Sequence, residues 1–219
     1  PLDQTEWFMS PHTVTADSNP RANESVVPAA ILQPPFLDMR ADDAVNYGGI
    51  GSVIGHEISH GFDDQGRKFD GNGALRDWWT EADDQRFTAL ADRLVAQYSA
   101  YSPLPDMSVN GQLTLGENIG DLSGVAIAYK AYEISLDGQS APVLDDFTGQ
   151  QRFFIGWCQV WARKYREDEL RRRLMTDPHS PSEYRCNGIV RNLPVFVEAY
   201  GVAEGDALSL APQEQVKIW

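Results

Sequence analysis

A chain of 219 residues, 42% hydrophobic and 23% charged, can fill one well-buried domain and is too short for two large ones. Its 18 basic against 32 acidic side chains give a net charge of −14, which argues against nucleic acid or an anionic bilayer as a partner. No apolar run nears the roughly 20 residues of a membrane-spanning helix, and no basic start leads into an apolar core as in a signal peptide.

Thr13-Val14-Thr15-Ala16 and Ser25-Val26-Val27 flank an Asn19-Pro20 turn and predict a β-hairpin. Pro34-Pro35 makes Ile31 to Phe36 an irregular apolar connection. Val45 to Phe62 predicts a helix despite Gly48, Gly49, Gly51, Gly55 and Gly61, so something there must favour close packing over helix propensity. Asp63 to Gly73 is loop-rich, and Thr80 to about Tyr98 predicts an amphipathic helix that Thr80 and Asp83 open in the manner of a capping box. Asn110-Gly111 signals a turn between Met107-Ser108-Val109 and Gln112-Leu113-Thr114. Helices are predicted from Leu115 to Leu136, from Phe147 to about Tyr165, and near Glu167 to Met175. Asp177 to Arg185 then predicts a loop, and a last helix begins near Pro194. Arg171-Arg172-Arg173 is read as a solvated helix face beside Glu167, Asp168 and Glu169. Cys158, in an apolar helical stretch, is read as a free buried thiol, and two cysteines cannot build a disulfide-based scaffold. The redox compartment stays open. The sum is a mainly helical α+β fold with a small hairpin and no internal boundary.

His56-Glu57-Ile58-Ser59-His60 places two imidazoles four residues apart on one helical face, where both reach a single ion. Glu57 adjoins them, close enough to work on a water held by that ion. With four histidines in the chain, a chance match to H-E-x-x-H has a probability of roughly one in a hundred or less. A structural zinc site would need further Cys or His nearby, and a third histidine ligand is ruled out because Asp63 and Gly66 stand where that pattern needs Gly and His. The third ligand should be a carboxylate from another helix. Glu117 and Asp121, four apart on an otherwise apolar helix, are costly there unless a cation or metal meets them. Glu117 would bind the ion and Asp121 would orient a ligand histidine. Taken alone this pair could equally be helix N-terminal acids; the histidine pair tips the reading to a zinc site with one Zn²⁺ per chain.

These segments resemble the neprilysin-type zinc metallopeptidases, which include endothelin-converting enzymes and bacterial oligopeptidases. The matching stretches are Val53 to Asp64, Glu117 to Asp121, Trp78-Trp79, Pro28 to Phe36, Asp177 to Pro181 and Lys217-Ile218-Trp219, spanning essentially the whole chain. The resemblance implies a thermolysin-like (gluzincin) catalytic domain over residues 1–219, matching the C-terminal part of a larger architecture. It implies zinc on His56, His60 and Glu117, water activation by Glu57, and an orienting role for Asp121 with Asp63 beside the same shell. It further implies oxyanion stabilisation by His179 and a substrate-carbonyl contact from Arg185. Ile31, Phe36, Val53 and Trp161 would line an apolar pocket for a large hydrophobic residue after the cleaved bond. Peptides are the implied substrates, and an N-terminal lobe or partner chain would cover the site. Where the family carries Asn-Ala-Tyr-Tyr, this chain has Thr15-Ala16-Asp17-Ser18: Ala16 can still hold substrate as an added strand, but Thr15 lacks the carboxamide's paired donor and acceptor. That departure bears on substrate pose rather than on zinc. It motivates a competing reading as a non-catalytic zinc- and peptide-binding domain. An aminopeptidase ranks lower, because no Gly-x-Met-Glu-Asn-like segment is present to hold a free amino terminus.

Overall fold

The computed structural model describes Asp3 and residues 5–219. Its centre is built around one long helical path. Asp42 opens it: one carboxylate oxygen accepts the Ala44 N–H at 3.0 Å, and the other accepts Arg152 Nε at 2.9 Å. Helix α1 (Asp43–Asn46) runs through a π turn (Tyr47–Gly51) into α2 (Ser52–Ser59), which tightens into a 3-10 turn at His60–Phe62. The helix predicted from Val45 to Phe62 is thus a continuous path with a π insertion, a device that re-aims the residues after it.

Helix α4 (Leu115–Ser135) crosses α2, and this crossing accounts for the glycines. A Cβ on Gly55 would meet the Gly124 carbonyl oxygen at 2.7 Å, and one on Gly124 would meet the Ser52 oxygen at 2.6 Å. The helix propensity lost, about 1 kcal/mol per glycine, permits backbone-to-backbone contact that any side chain would block.

Helix α3 (Glu81–Ser99) starts where expected, with the Thr80 hydroxyl oxygen accepting the Asp83 N–H at 3.2 Å. Helix α5 (Gly149–Val160) has a full capping box between Thr148 and Gln151. Helices α6 (Glu167–Thr176), α7 (Ser182–Val190) and α8 (Pro194–Tyr200) follow, the last ending at Gly201 in the left-handed conformation. Trp157, Phe153, Phe154, Tyr98, Leu94, Ile119 and Ile189 form the buried centre that these helices share. Strands β1 (Asp17–Asn19) and β2 (Glu24–Val26) pair antiparallel, with Asp17 opposite Val26 and Asn19 opposite Glu24.

Three expectations change. The first hairpin arm starts later than Thr13, because Thr15 bonds locally: its hydroxyl donates to the Ala16 carbonyl at 3.0 Å and its N–H to Thr13 at 3.1 Å. Asn110-Gly111 turns the chain as expected, here into α4: the Asn110 carbonyl accepts the Thr114 N–H and its side chain accepts the Leu113 N–H, both at 3.0 Å. The loop predicted to reach Arg185 gives way to α7 at Ser182, because Pro181 serves as the entry to a helix. That unexpected helix also corrects the cysteine reading. It carries Cys186 to a Cα–Cα distance of 5.1 Å from Cys158 on α5, and the two form a disulfide.

Candidate active site

The end of α2 and the first turn of α4 face each other, and their polar side chains converge. His56 Nε2 lies 3.2 Å from Glu117 Oε2, and His60 Nε2 lies 3.7 Å from Glu117 Oε1. The donor atoms of these three residues all lie within 4.8 Å of one another. Each imidazole is held from behind by its own carboxylate: His56 Nδ1 is 2.8 Å from Asp121, and His60 Nδ1 is 2.7 Å from Asp63. Asp63 also accepts the N–H groups of Gln65 and Gly66, at 2.8 and 2.7 Å. Carboxylates that accept at Nδ1 leave each Nε2 lone pair for a metal.

The donor set fits a zinc ion on an observation independent of spacing. Glu117 Oε2 is buried and makes no hydrogen bond among the described residues, although two imidazole nitrogens lie near it. An orphaned carboxylate oxygen beside two Nε2 atoms is what a divalent cation satisfies, and two imidazoles with a carboxylate suit Zn²⁺. Burial opposes charge on Glu117, but His179 and His56 outweigh it and hold the carboxyl well below the usual range. Burial likewise opposes charge on His56, yet Asp121 and Glu117 raise its pKa to about 9. A proton and a cation therefore compete for His56 Nε2.

Glu57 is 6% exposed, and burial pushes its carboxyl above the usual range against the pull of His56 and His60. It borders a cleft of about 360 Å³ that runs between the hairpin and Phe62, Phe69 and Trp78. His179 sits on the loop before α7. Asp177 accepts from its Nδ1 at 2.8 Å and from its backbone N–H at 2.9 Å, and His179 Nε2 reaches within 3.1 Å of Glu117. Burial lowers the His179 pKa, but Glu117 and Asp177 raise it further, so the net shift is upward. Buried Arg185 donates through Nε and Nη2 to Asp121 at 2.7 and 2.6 Å, and its guanidinium carbon lies 3.9 Å from the centre of the Trp161 ring. Asp121 is 1% exposed; burial pushes its carboxyl up, and Arg185 and His56 more than reverse that.

The pocket candidates divide. Ile31 and Val53 pack with Ile50, and Ala16 and Phe36 lean on the same small cluster. Trp161 lies apart from them, against Arg185 and the loop of His179. Reading the sequence overlooked Asp177, Ser180 and Asn118, of which Ser180 ties the His179 loop to α4 by donating to Asn118 Oδ1 at 2.8 Å. Only the placement of Asp177 two residues before His179 was a usable signal. The stretch Arg163-Lys164-Tyr165-Arg166 also went unremarked, although it is a second basic cluster in an acidic chain.

Gly120 is part of the site through its lack of a side chain. A Cβ there would sit 2.8 Å from His56 Nδ1 and Cε1. Gly120→Ala should displace the imidazole and lower zinc affinity about 10- to 100-fold, with helical content by circular dichroism unchanged. Unchanged affinity in a competition titration would refute this account of the glycine.

An H-E-x-x-H helix opposed by a glutamate from a second helix, in a mainly helical frame with a small hairpin, defines a gluzincin-type metallopeptidase fold. The chain belongs to peptidase family M13, whose description matches residues 16–216. It is 43% identical over its whole length to membrane metallo-endopeptidase-like 1 of Homo sapiens and 40% identical over 99% of its length to endothelin-converting enzyme 1 of Mus musculus, spanning 28% of each. Among solved structures, it superimposes on Mycobacterium tuberculosis zinc metalloprotease Zmp1, in complex with inhibitor, with a TM-score of 0.98 at 57% identity. PepO from Lactobacillus rhamnosis HN001 gives 0.89 at 37% identity. The chain is covered completely in both and spans 34% and 33% of them. It therefore corresponds to about a third of these relatives. No helix among the described residues is long and apolar enough to cross a membrane.

Proposed function

We propose that residues 1–219 form a single catalytic domain of a zinc-dependent endopeptidase that cleaves peptides before a large hydrophobic residue. The observation that carries this reading is the convergence of His56, His60 and the orphaned Glu117 oxygen beside Glu57. His56, His60 and Glu117 would hold one Zn²⁺, which when bound supplies Lewis acidity toward water and a peptide carbonyl. Glu57 takes the proton of the attacking water and returns it to the leaving amine. Its raised pKa makes it a stronger base than an exposed glutamate. His179, held in place by Asp177, donates from Nε2 to the oxygen that gains negative charge. Arg185 spends Nε and Nη2 on Asp121 and presents its remaining nitrogen to a substrate carbonyl. Ala16 offers backbone groups to an added substrate strand, and Ile31, Phe36 and Val53 supply the apolar wall for the residue after the scissile bond. The extra length of the relatives supports an additional lobe or partner chain over the cleft.

The test is a peptide-library digest by the zinc-loaded protein, with and without chelator, read by mass spectrometry. Cleavage before Phe, Leu or Ile that stops with chelator and returns with one zinc per chain is expected. Bound zinc with no cleavage of any peptide would overturn the reading.

The pH profile follows from the same groups. Glu57 must be deprotonated, and its pKa is raised, so activity falls on the acid side above the ordinary glutamate range. His179 must be protonated to donate from Nε2 while Asp177 accepts from its Nδ1, so activity falls on the basic side as His179 loses its proton. Asp177→Asn removes one contribution that favours protonated His179. It should move the basic limb of kcat/KM to lower pH and leave the acid limb in place. An unmoved basic limb would remove His179 from the donor role.

A further inference from the structure

His179 and Arg185 both come from the stretch between the end of α5 and the middle of α7, and that stretch is closed on itself. Cys158 and Cys186 are joined across a sequence separation of 28, and Asp177, His179 and Arg185 all lie inside the closed loop. The closure falls where the end of α5 grips Arg185. The Trp157 indole N–H donates to the Arg185 carbonyl at 3.1 Å, and the next residue on each helix is a bridged cysteine, with 5.1 Å between the two Cα atoms. One turn further on, the Trp161 ring takes the flat face of the Arg185 guanidinium, 3.9 Å from ring centre to carbon. Asp121 takes the edge, at 2.7 and 2.6 Å.

The two ends of this loop are held differently. The His179 end has its own tether to α4, Ser180 donating to Asn118 at 2.8 Å, and Asp177 orients the imidazole from within the loop. At the Arg185 end, Tyr98 donates to the Tyr184 carbonyl at 3.1 Å, and α5 adds the Trp157 hydrogen bond and the Trp161 stack. Each of these is weak alone, and the disulfide is the one covalent tie. A guanidinium that must reach a substrate while paired to Asp121 has little slack, since a shift of about 1 Å spoils such a contact. Both cysteines are half-buried rather than sealed in the core, and the chain holds no other.

We infer that Cys158 and Cys186 are positioning residues for Arg185, and that the state of their bridge sets how tightly peptides bind. The inference rests on the proposed contact between Arg185 and a substrate carbonyl. The co-reactant is a dithiol. One of its thiolates attacks a bridge sulfur, two electrons and two protons pass to the cysteines as two thiols form, and the dithiol leaves as its own disulfide. Opening frees α7 from α5 beside Arg185 and leaves His179 on its separate tether. Peptide affinity falls, and turnover of bound peptide is kept.

The experiment follows peptide cleavage by the zinc-loaded protein at its full natural length before and after treatment with a water-soluble phosphine. The phosphine opens disulfides, takes up oxygen from water to become its oxide, and adds no thiol that would compete for zinc. KM should rise about fivefold, kcat should stay within about twofold, and reoxidation should restore KM. Zinc should stay at one per chain throughout. A variant carrying both Cys158→Ser and Cys186→Ser should show the raised KM from the start and ignore the phosphine. An unchanged KM in the reduced parent protein, or a response to phosphine that survives in that variant, overturns the inference. Arg185→Lys keeps a charge for Asp121 and loses the spare nitrogen that reaches substrate, so its KM should be raised and reduction should raise it no further. A further rise equal to that of the parent protein shows that the bridge acts elsewhere, and overturns the positioning role. Calorimetric binding of a peptide to zinc-loaded Glu57→Gln in both redox states reads the same effect without cleavage, and affinity should drop about fivefold on opening. Equal affinity overturns the inference, whereas the expected drop in a protein whose parent cleaves nothing overturns the endopeptidase reading alone.

Discussion

Glu57→Gln lowers kcat by about 10²–10⁴-fold while zinc stays at one per chain. The carboxamide keeps the shape of the side chain and cannot accept the water proton at neutral pH. The same exchange removes a charge whose burial pushes its pKa up, so the melting temperature should hold or rise. Activity and stability move in opposite directions, which separates loss of a base from loss of fold. Turnover near that of the parent protein would sink the assignment.

Asp121→Ala has the second large effect, and its target is the frame rather than the chemistry. Asp121 is the shared anchor of two cationic side chains, receiving Arg185 at 2.7 and 2.6 Å and His56 at 2.8 Å. Truncation strips the buried guanidinium of both hydrogen bonds and leaves it only Glu117 at 3.8 Å, at a cost of about 3 kcal/mol, and frees the His56 ring, which should weaken zinc binding about 10- to 100-fold. The sign of its pH dependence is fixed. The Asp121 carboxyl titrates below its ordinary value of 3.8, so its stabilisation is complete above that value and fades as pH falls through the lower native pKa. The stability gap between parent and variant in denaturant titrations should therefore be flat at neutral pH and shrink in acid. A gap that widens in acid, or zinc binding that survives truncation, would contradict this account.

The zinc-binding helix could be read in advance because its signal is local. One helical turn sets the distance between His56 and His60, and four residues identify it. Glu117 was recoverable because a paired acid on an apolar helix is energetically anomalous. The segments that misled the reading depend on distant partners. The Pro181 segment looks like a loop until α7 is seen packing against α5, and Cys158 looks like an ordinary small apolar residue until that packing delivers Cys186. The glycines of the first helical path pointed to close approach, but not to its partners, since Gly124 and Gly120 meet α2 from more than 60 residues away. Ser180 acts through a hydrogen bond to Asn118 that passes across the fold, which no spacing rule encodes.

The Cys158–Cys186 bridge has a practical corollary for anyone handling the protein. The arginine- and lysine-rich stretch from Arg163 to Arg166 is exposed apart from half-buried Tyr165, and it invites trypsin-like proteases. A nick there falls inside the covalent ring closed by the two sulfurs. The polypeptide would be severed without the molecule coming apart, so that damaged material runs as one band on a gel until reductant is added and then splits in two.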